Sequence, residues 1–313
     1  MDWLEKIKNS IPAGAISFLV KSNLSWRFLT KRRKINTIHD FKEPFFIIGF
    51  GRSGNTLLRS MLVAGDEVVI PPESYVLPRL IKLYKTYDFL PWNELSSLLI
   101  GEFEAYKEFY TWETDLSSLK KEIRTLPKEK QTLSNLINEI YATYSLQKYG
   151  KIMYWGDKTP VNTRFIDKVY EIYPKAKYIY MKRDPKDAIA SAVKNQIFPD
   201  IQTAAKIFLI YYRKTAWLKK KLPEDQFLEV EYESLVSNTE EVLQNVSKFL
   251  DINYKSTMLN FWKNADNLGD TKVHTHHKNI SKPINANSIG KWRKTLSAKE
   301  AKEIDAILAH IRE

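Results

Sequence analysis

The chain contains no cysteine. Disulfides and thiolate metal sites are therefore excluded, and with them the zinc-ribbon and redox-motif classes. Glycine is sparse, at 10 of 313 residues, and no Pro/Gly/Ser-rich stretch divides the chain. There is no internal repeat and no low-complexity tract, which leaves solenoids and linker-joined arrays without support. No apolar run reaches the ~20 residues that a membrane-spanning helix needs. Ile11–Val20 is about half that length, and it is followed by Lys21, Arg27 and the cluster Lys31–Lys34. A signal peptide would instead end in a small-residue cleavage site.

What remains is a chain of ordinary globular composition, 43% hydrophobic and 27% charged, with a net charge of +12. The excess is local. Residues 1–35 carry eight basic and two acidic side chains, and residues 272–294 carry six basic and no acidic ones. Each segment thus contributes +6. A basic amphipathic start, with Trp3, Leu4, Ile7, Ile11, Phe18 and Trp26 on its apolar side, suits either a membrane surface or packing on a domain. The expected organisation is an arm over residues 1–40 and one domain over 41–313. The expected location is the cytoplasm, with the arm as a candidate contact to the inner face of a membrane. A nucleic-acid partner is not expected, because the basic residues sit at a terminus and in one late segment. They do not form one aromatic-laced stripe.

Strand and helix signals alternate. Phe45–Phe50 is a continuous apolar run ending in a glycine-rich turn, and Thr56–Ala64 reads as a helix stopped by Gly65. A second strand is expected at Lys177–Lys182. After it come Asp184 as a helix cap, Pro185 at the first helical position and Asp187 in the first turn. A third strand is expected at Gln226–Glu231, followed by helix through Leu250. Residues 92–148 read mostly as helix, residues 200–221 as one amphipathic helix, and Ala298–Ile311 as a terminal helix capped by Ser297. Such alternation predicts an α/β fold of P-loop type: three layers, with a central parallel sheet flanked by helices. Ligands of such folds sit at the carboxyl ends of the strands.

Gly49-Phe50-Gly51-Arg52-Ser53-Gly54-Asn55-Thr56 has the G-x-x-x-x-G-x-T spacing of a phosphate loop, between a strand and a helix. Backbone N–H groups and the helix start can hold an oxyanion there. The lysine that reaches the β- and γ-phosphates of a nucleoside triphosphate is replaced by Asn55, and a cation appears at Arg52 instead. That pattern predicts a phosphate ligand without a β,γ-phosphate chain. Arg183 and Ser191, eight residues apart across a second strand–helix junction, form another candidate anion site.

Together these motifs resemble the sulfotransferases that use 3′-phosphoadenosine 5′-phosphosulfate (PAPS), in their tyrosylprotein and sulfotransferase-3-like branches. The resemblance implies that Arg52, Ser53, Gly54, Asn55 and Thr56 bind the 5′-phosphosulfate, and that Arg183 and Ser191 bind the 3′-phosphate. It extends to Tyr232 in Glu231-Tyr232-Glu233-Ser234-Leu235, near the nucleotide. It also covers Lys282 and the stretch Ser288–Arg293, which resemble a nucleotide-closing segment. By the same resemblance Glu73, after the turn Pro71-Pro72, is the candidate base. Lys158, in Gly156-Asp157-Lys158-Thr159-Pro160, is the candidate cation beside Arg52. No metal is implied, and the trio His274, His276 and His277 has no carboxylate or cysteine nearby to complete a site.

The implied reaction is transfer of a sulfuryl group from PAPS to an acceptor hydroxyl, with a carbohydrate or lipid acceptor favoured by the basic start. A kinase-like phosphotransferase and a catalytically inactive nucleotide-binding module remain as alternatives. The aromatic residues between Tyr84 and Trp112 fit either an acceptor cleft or a core.

Overall fold

The computed structural model describes Ser22 and residues 33–36, 42–269 and 280–309. The basic arm, apart from residues 22 and 33–36, and the three histidines at 274–277 lie outside the described residues. So does part of the 272–294 segment. Among the described residues no helix is long and apolar enough to cross a membrane.

In chain order the principal elements are β1 (Phe45–Ile48), α1 (Asn55–Ala64), β2 (Val68–Val69), α2 (Leu77–Tyr87), α3 (Trp92–Glu104), α4 (Ser117–Glu122), α5 (Leu133–Tyr149) and β3 (Tyr154–Asp157). These are followed by α6 (Ile166–Ile172), β4 (Lys177–Lys182), α7 (Pro185–Lys194), α8 (Ile201–Lys219), β5 (Phe227–Glu231), α9 (Tyr232–Ser237), α10 (Thr239–Leu250), α11 (Trp292–Thr295) and α12 (Ala298–Leu308). The five strands form one sheet in the order β2-β3-β1-β4-β5, and every pairing is parallel. The expected three-layer α/β architecture is therefore present.

Alternating side chains on a strand point to opposite faces, and the two faces of this sheet bury different cores. Phe46, Ile48, Tyr178 and Tyr180 pack with α2, α3, α5 and α6. Phe45, Ile47, Ile179, Met181 and Val230 pack with α1 and α10 and with Phe261. A third cluster joins Phe50, α7, α8 and the α12 residues Ile304 and Leu308. Coverage on both faces explains why β1 reads as an uninterrupted apolar run.

Two strands are additions to the sequence reading. β2 has only two residues, too few to show a period. β3 contains Gly156 and ends in Asp157, residue types that strands disfavour. The glycine is needed there, because a Cβ at 156 would lie 2.4 Å from the ring of Phe45. Residues 92–148 are mostly helical, as expected, with interruptions. Between α3 and α5 the chain forms only α4 and short 3₁₀ turns at Phe109–Trp112, Ile123–Thr125 and Lys128–Lys130. Tyr84, Trp92, Phe103 and Trp112 are buried core residues, whereas Tyr87 and Tyr110 of the same series are exposed. The terminal helix begins as expected: Ser297 and Glu300 form a reciprocal capping box.

Arg33 docks onto the domain, donating from Nε to the Asp88 carbonyl (3.0 Å) and from Nη2 to the Leu90 carbonyl (2.9 Å).

Candidate active site

A cavity of about 380 Å³ opens at the carboxyl ends of β1 and β4. The loop after β1 forms its floor. Gly49 has φ +141, and a Cβ there would lie 2.7 Å from the Met181 carbonyl oxygen, so the loop passes close to β4 only as glycine. The Gly49 N–H is held by Thr163 Oγ1 at 2.9 Å. Arg52 sits in the left-handed region, with φ 70. A non-glycine residue there stores backbone strain and often marks a functional loop. Asn55, in the place of the phosphate-loop lysine, folds back and donates from Nδ2 to the Phe50 carbonyl at 2.9 Å. It braces the loop and also lines the cavity.

Gly54 caps α1 with φ +93, and a Cβ there would lie 2.6 Å from Tyr232 Cδ2. Tyr232 thus rests on the helix start. Changing Gly54 to alanine is expected to destabilise the fold by about 1–3 kcal/mol and to push Tyr232 off the loop. Thermal melts with and without adenosine 3′,5′-bisphosphate (PAP) check this, the nucleotide-induced rise in melting temperature being expected to shrink.

The two candidate anion sites share one wall. Arg183 stacks on Tyr232, with Cζ 4.3 Å from the ring centroid. Its Nη1 donates to the Arg52 carbonyl (2.7 Å) and its Nη2 to the Ser288 carbonyl (2.7 Å). Arg52 Nε in turn donates to Ser191 Oγ at 3.2 Å. Burial, and then the neighbouring Arg183 charge, hold the Arg52 guanidinium below its ordinary pKa. The buried Arg183 Nε–H has no acceptor among the described residues. Two crowded guanidiniums and an orphaned donor fit an anion with several acceptor oxygens.

Deeper in, Lys158 Nζ donates to Thr56 Oγ1 at 3.0 Å and pairs with the Glu73 carboxylate. The Lys158 side chain is fully shielded, whereas Glu73 is 15% exposed and faces the cavity. Lys158 is therefore behind the wall rather than on it beside Arg52. Its neighbour Asp157 anchors the layer below, accepting from Tyr141 Oη (2.7 Å), Thr159 Oγ1 (3.2 Å) and Asn162 Nδ2 (2.8 Å). Thr159 Oγ1 accepts from the Ser74 N–H at 3.2 Å, which ties the Glu73 loop to β3. Burial, opposed by these hydrogen bonds, pushes the Asp157 carboxyl above its usual range. Arg59, also buried, holds the same loop from the other side by donating to the Ile70 carbonyl at 2.9 Å.

Not every sequence candidate reaches the cavity. Ser53 is buried at 1% exposure and does not line it. Lys282 is exposed and lies off the lining, while Pro283, Ile284, Asn285 and Ser288 from its segment contribute to the wall. Tyr75, Arg164, Phe198 and Tyr211 also line the cavity, and no sequence motif marks them. Tyr75 has φ 53 and stacks on Tyr106, with ring centroids 5.9 Å apart. Desolvation, reinforced by the Glu73 charge, drives the pKa of its phenol far upward. Arg164 has no acidic partner among the described residues.

Comparison with known proteins agrees with this geometry. The model of the sulfotransferase family matches residues 44–256. The chain is 24% identical over 265 residues to the protein-tyrosine sulfotransferase of Drosophila melanogaster, covering 79% of this chain and 46% of that protein. It is 24% identical to protein-tyrosine sulfotransferase A of Caenorhabditis elegans, covering 86% and 66%. The chain thus spans roughly half to two-thirds of these relatives. Among solved structures, the sulfotransferase domain of the Synechococcus PCC 7002 olefin synthase superposes with a TM-score of 0.61 at 26% identity, covering 90% of this chain and 99% of that one. The family match takes in β1 through α10 and, with them, the phosphate loop, Glu73, Lys158, Arg183 and Tyr232, so the chain belongs to the sulfotransferase family.

Proposed function

We propose that this protein transfers the sulfuryl group of PAPS to the hydroxyl of an aromatic acceptor. The observation that carries the reading is that one cavity takes in both the Arg52–Ser191–Arg183 cluster and the Glu73 carboxylate, which is braced from behind by Lys158. Bound PAPS would supply an activated sulfuryl group on a phosphate leaving group. Arg52 and Arg183 are placed to hold its phosphates. Tyr232, Leu57, Phe261, Ile280 and Ile284 offer an apolar bed for the base on the same side.

The other residues divide the remaining work. Glu73 takes the acceptor proton, its carboxylate held in register by Lys158 and by the Ser74–Thr159 tie. Thr56, which lines the cavity, is assigned to stabilise charge on the departing oxygen, with Lys158 behind the wall donating to its hydroxyl. The cavity is also walled by Tyr75, Val161, Ile197, Phe198 and Tyr211, with Arg164 adding positive charge. Few of these groups can satisfy the many hydroxyls of a sugar, whereas flat rings and aliphatic carbons suit an aromatic one. This wall moves the preferred acceptor from carbohydrate or lipid to a phenol. The names of the relatives from Drosophila and Caenorhabditis point the same way.

The test is a PAPS-dependent screen of phenols, tyrosine peptides, sugars and hydroxylated lipids, read by mass spectrometry. The expected product is a phenol or peptide carrying one added sulfuryl group. Transfer confined to sugars would overturn the acceptor assignment. Magnesium-dependent ATP turnover without any PAPS turnover would overturn the reaction itself.

A further inference from the structure

The segment closing the cavity is fastened by a side chain that the reaction does not use. Asp187 lies in the first turn of α7 and is 2% exposed. Its carboxylate faces the chain that leaves the cavity wall: Oδ2 accepts from the Gly290 N–H at 2.6 Å and Oδ1 from the Trp292 N–H at 2.8 Å. Gly290 has φ +64, a left-handed turn that helps present both amides to one carboxylate. Trp292 is flanked by Lys186, 4.6 Å from its ring centroid, and by Arg293 at 4.7 Å. Two residues before Gly290, the Ser288 carbonyl accepts from Arg183. Residues 283–288 of the wall are therefore held from α7 and from the anion site, across more than 100 positions of sequence.

Resting on the reading of this cavity as a nucleotide site, we propose that Asp187 is a positioning residue that latches the 283–292 segment over the nucleotide and sets the rate at which the bisphosphate product leaves. A buried carboxylate holding two backbone N–H groups makes charge-assisted hydrogen bonds, stronger than neutral ones. The latch closes on the protein's own backbone and so exists before any nucleotide arrives. Opening it frees Ser288, and with it one acceptor of the Arg183 guanidinium. Asn in place of Asp keeps one acceptor oxygen but turns an NH₂ toward the second amide.

The experiment compares Asp187→Asn with Asp184→Ala in the full chain. Asp184 caps the same helix, its Oδ1 accepting from the Asp187 N–H at 3.0 Å, and no hydrogen bond joins its carboxylate to residues 283–292. Asp184→Ala therefore weakens the helix start without opening the latch. Amide hydrogen exchange of Gly290 and Trp292 is followed in the nucleotide-free protein, and PAP dissociation is followed by stopped-flow displacement.

Asp187→Asn is expected to lose protection at both amides and to release PAP about tenfold faster, the equivalent of one charge-assisted hydrogen bond. In turnover, KM for PAPS should rise while kcat holds or increases, as when product release limits the rate. Asp184→Ala should lower the melting temperature and leave release unchanged. Unaltered release in Asp187→Asn, or equal acceleration in both variants, overturns the latch. Faster release in a protein that transfers no sulfuryl group would leave the latch standing and sink only the proposed reaction.

Discussion

Glu73→Gln is expected to slow sulfuryl transfer by about 10²–10⁴-fold, the usual contribution of a positioned general base, with PAP affinity unchanged. The side chains are isosteric, and a glutamine carbonyl can still accept from Lys158 Nζ as the Glu73 carboxylate does. What it cannot do is take a proton. The nucleotide anchors Arg52, Arg183, Ser191 and Tyr232 make no hydrogen bond to Glu73, so their geometry should survive. Single-turnover rates give the chemical step, and calorimetric titration with PAP gives binding. Equal losses in both would mean that Glu73 shapes the pocket rather than performing chemistry. An unaltered rate would move the base elsewhere, with Tyr75 and Tyr211 as the neighbouring groups. Both are poor bases, because their phenols are pushed toward the protonated form.

The phosphate loop was readable because its information is local. An apolar strand, glycines at fixed offsets and a helix follow one another within about 20 residues, and each imposes its own backbone requirement. β4 was readable in the same way, and its junction with α7 carries Arg183, Asp184 and Asp187 in five consecutive positions. Local patterns do not specify distances between elements. The Arg52–Ser191 contact joins residues 139 apart, Lys158–Glu73 joins residues 85 apart, and the Asp187–Gly290 contact spans 103. In the sequence Asp187 is indistinguishable from any acidic residue in a first helical turn, a position favoured by the helix dipole alone.

The acceptor end was the least legible for a related reason. Aromatic residues at helical spacing mark a buried face without saying what covers it. Tyr84, Trp92 and Phe103 turned out to be covered by protein. The cavity wall instead takes Tyr75 from a loop, Phe198 from the turn after α7, and Tyr211 from α8. Lys282 shows the converse limit. A basic residue in a closing segment looked like a phosphate ligand, yet the backbone places its apolar neighbours inward and leaves the lysine in solvent.

Lys158→Met should be the second variant with a large effect, and it separates two roles that one lysine combines. Loss of the cation that holds Thr56 and Glu73 from behind is expected to cost about 10²–10³-fold in kcat, by analogy with removing one oxyanion donor. It also strands the Glu73 carboxylate against an apolar side chain. Breaking a fully buried pair costs about 3–5 kcal/mol. Glu73 is 15% exposed, so solvent screening should hold the penalty below that range. Lys158→Met combined with Glu73→Gln removes the stranded charge. The double variant should therefore be more stable than Lys158→Met alone while being no more active. The two catalytic losses should also fall well short of multiplying, because residues acting as a unit are not additive. Melting temperatures at neutral pH and single-turnover rates on the four proteins of the cycle decide the matter. Fully multiplicative rate losses, with no recovery of stability in the double variant, would show that Lys158 and Glu73 act independently.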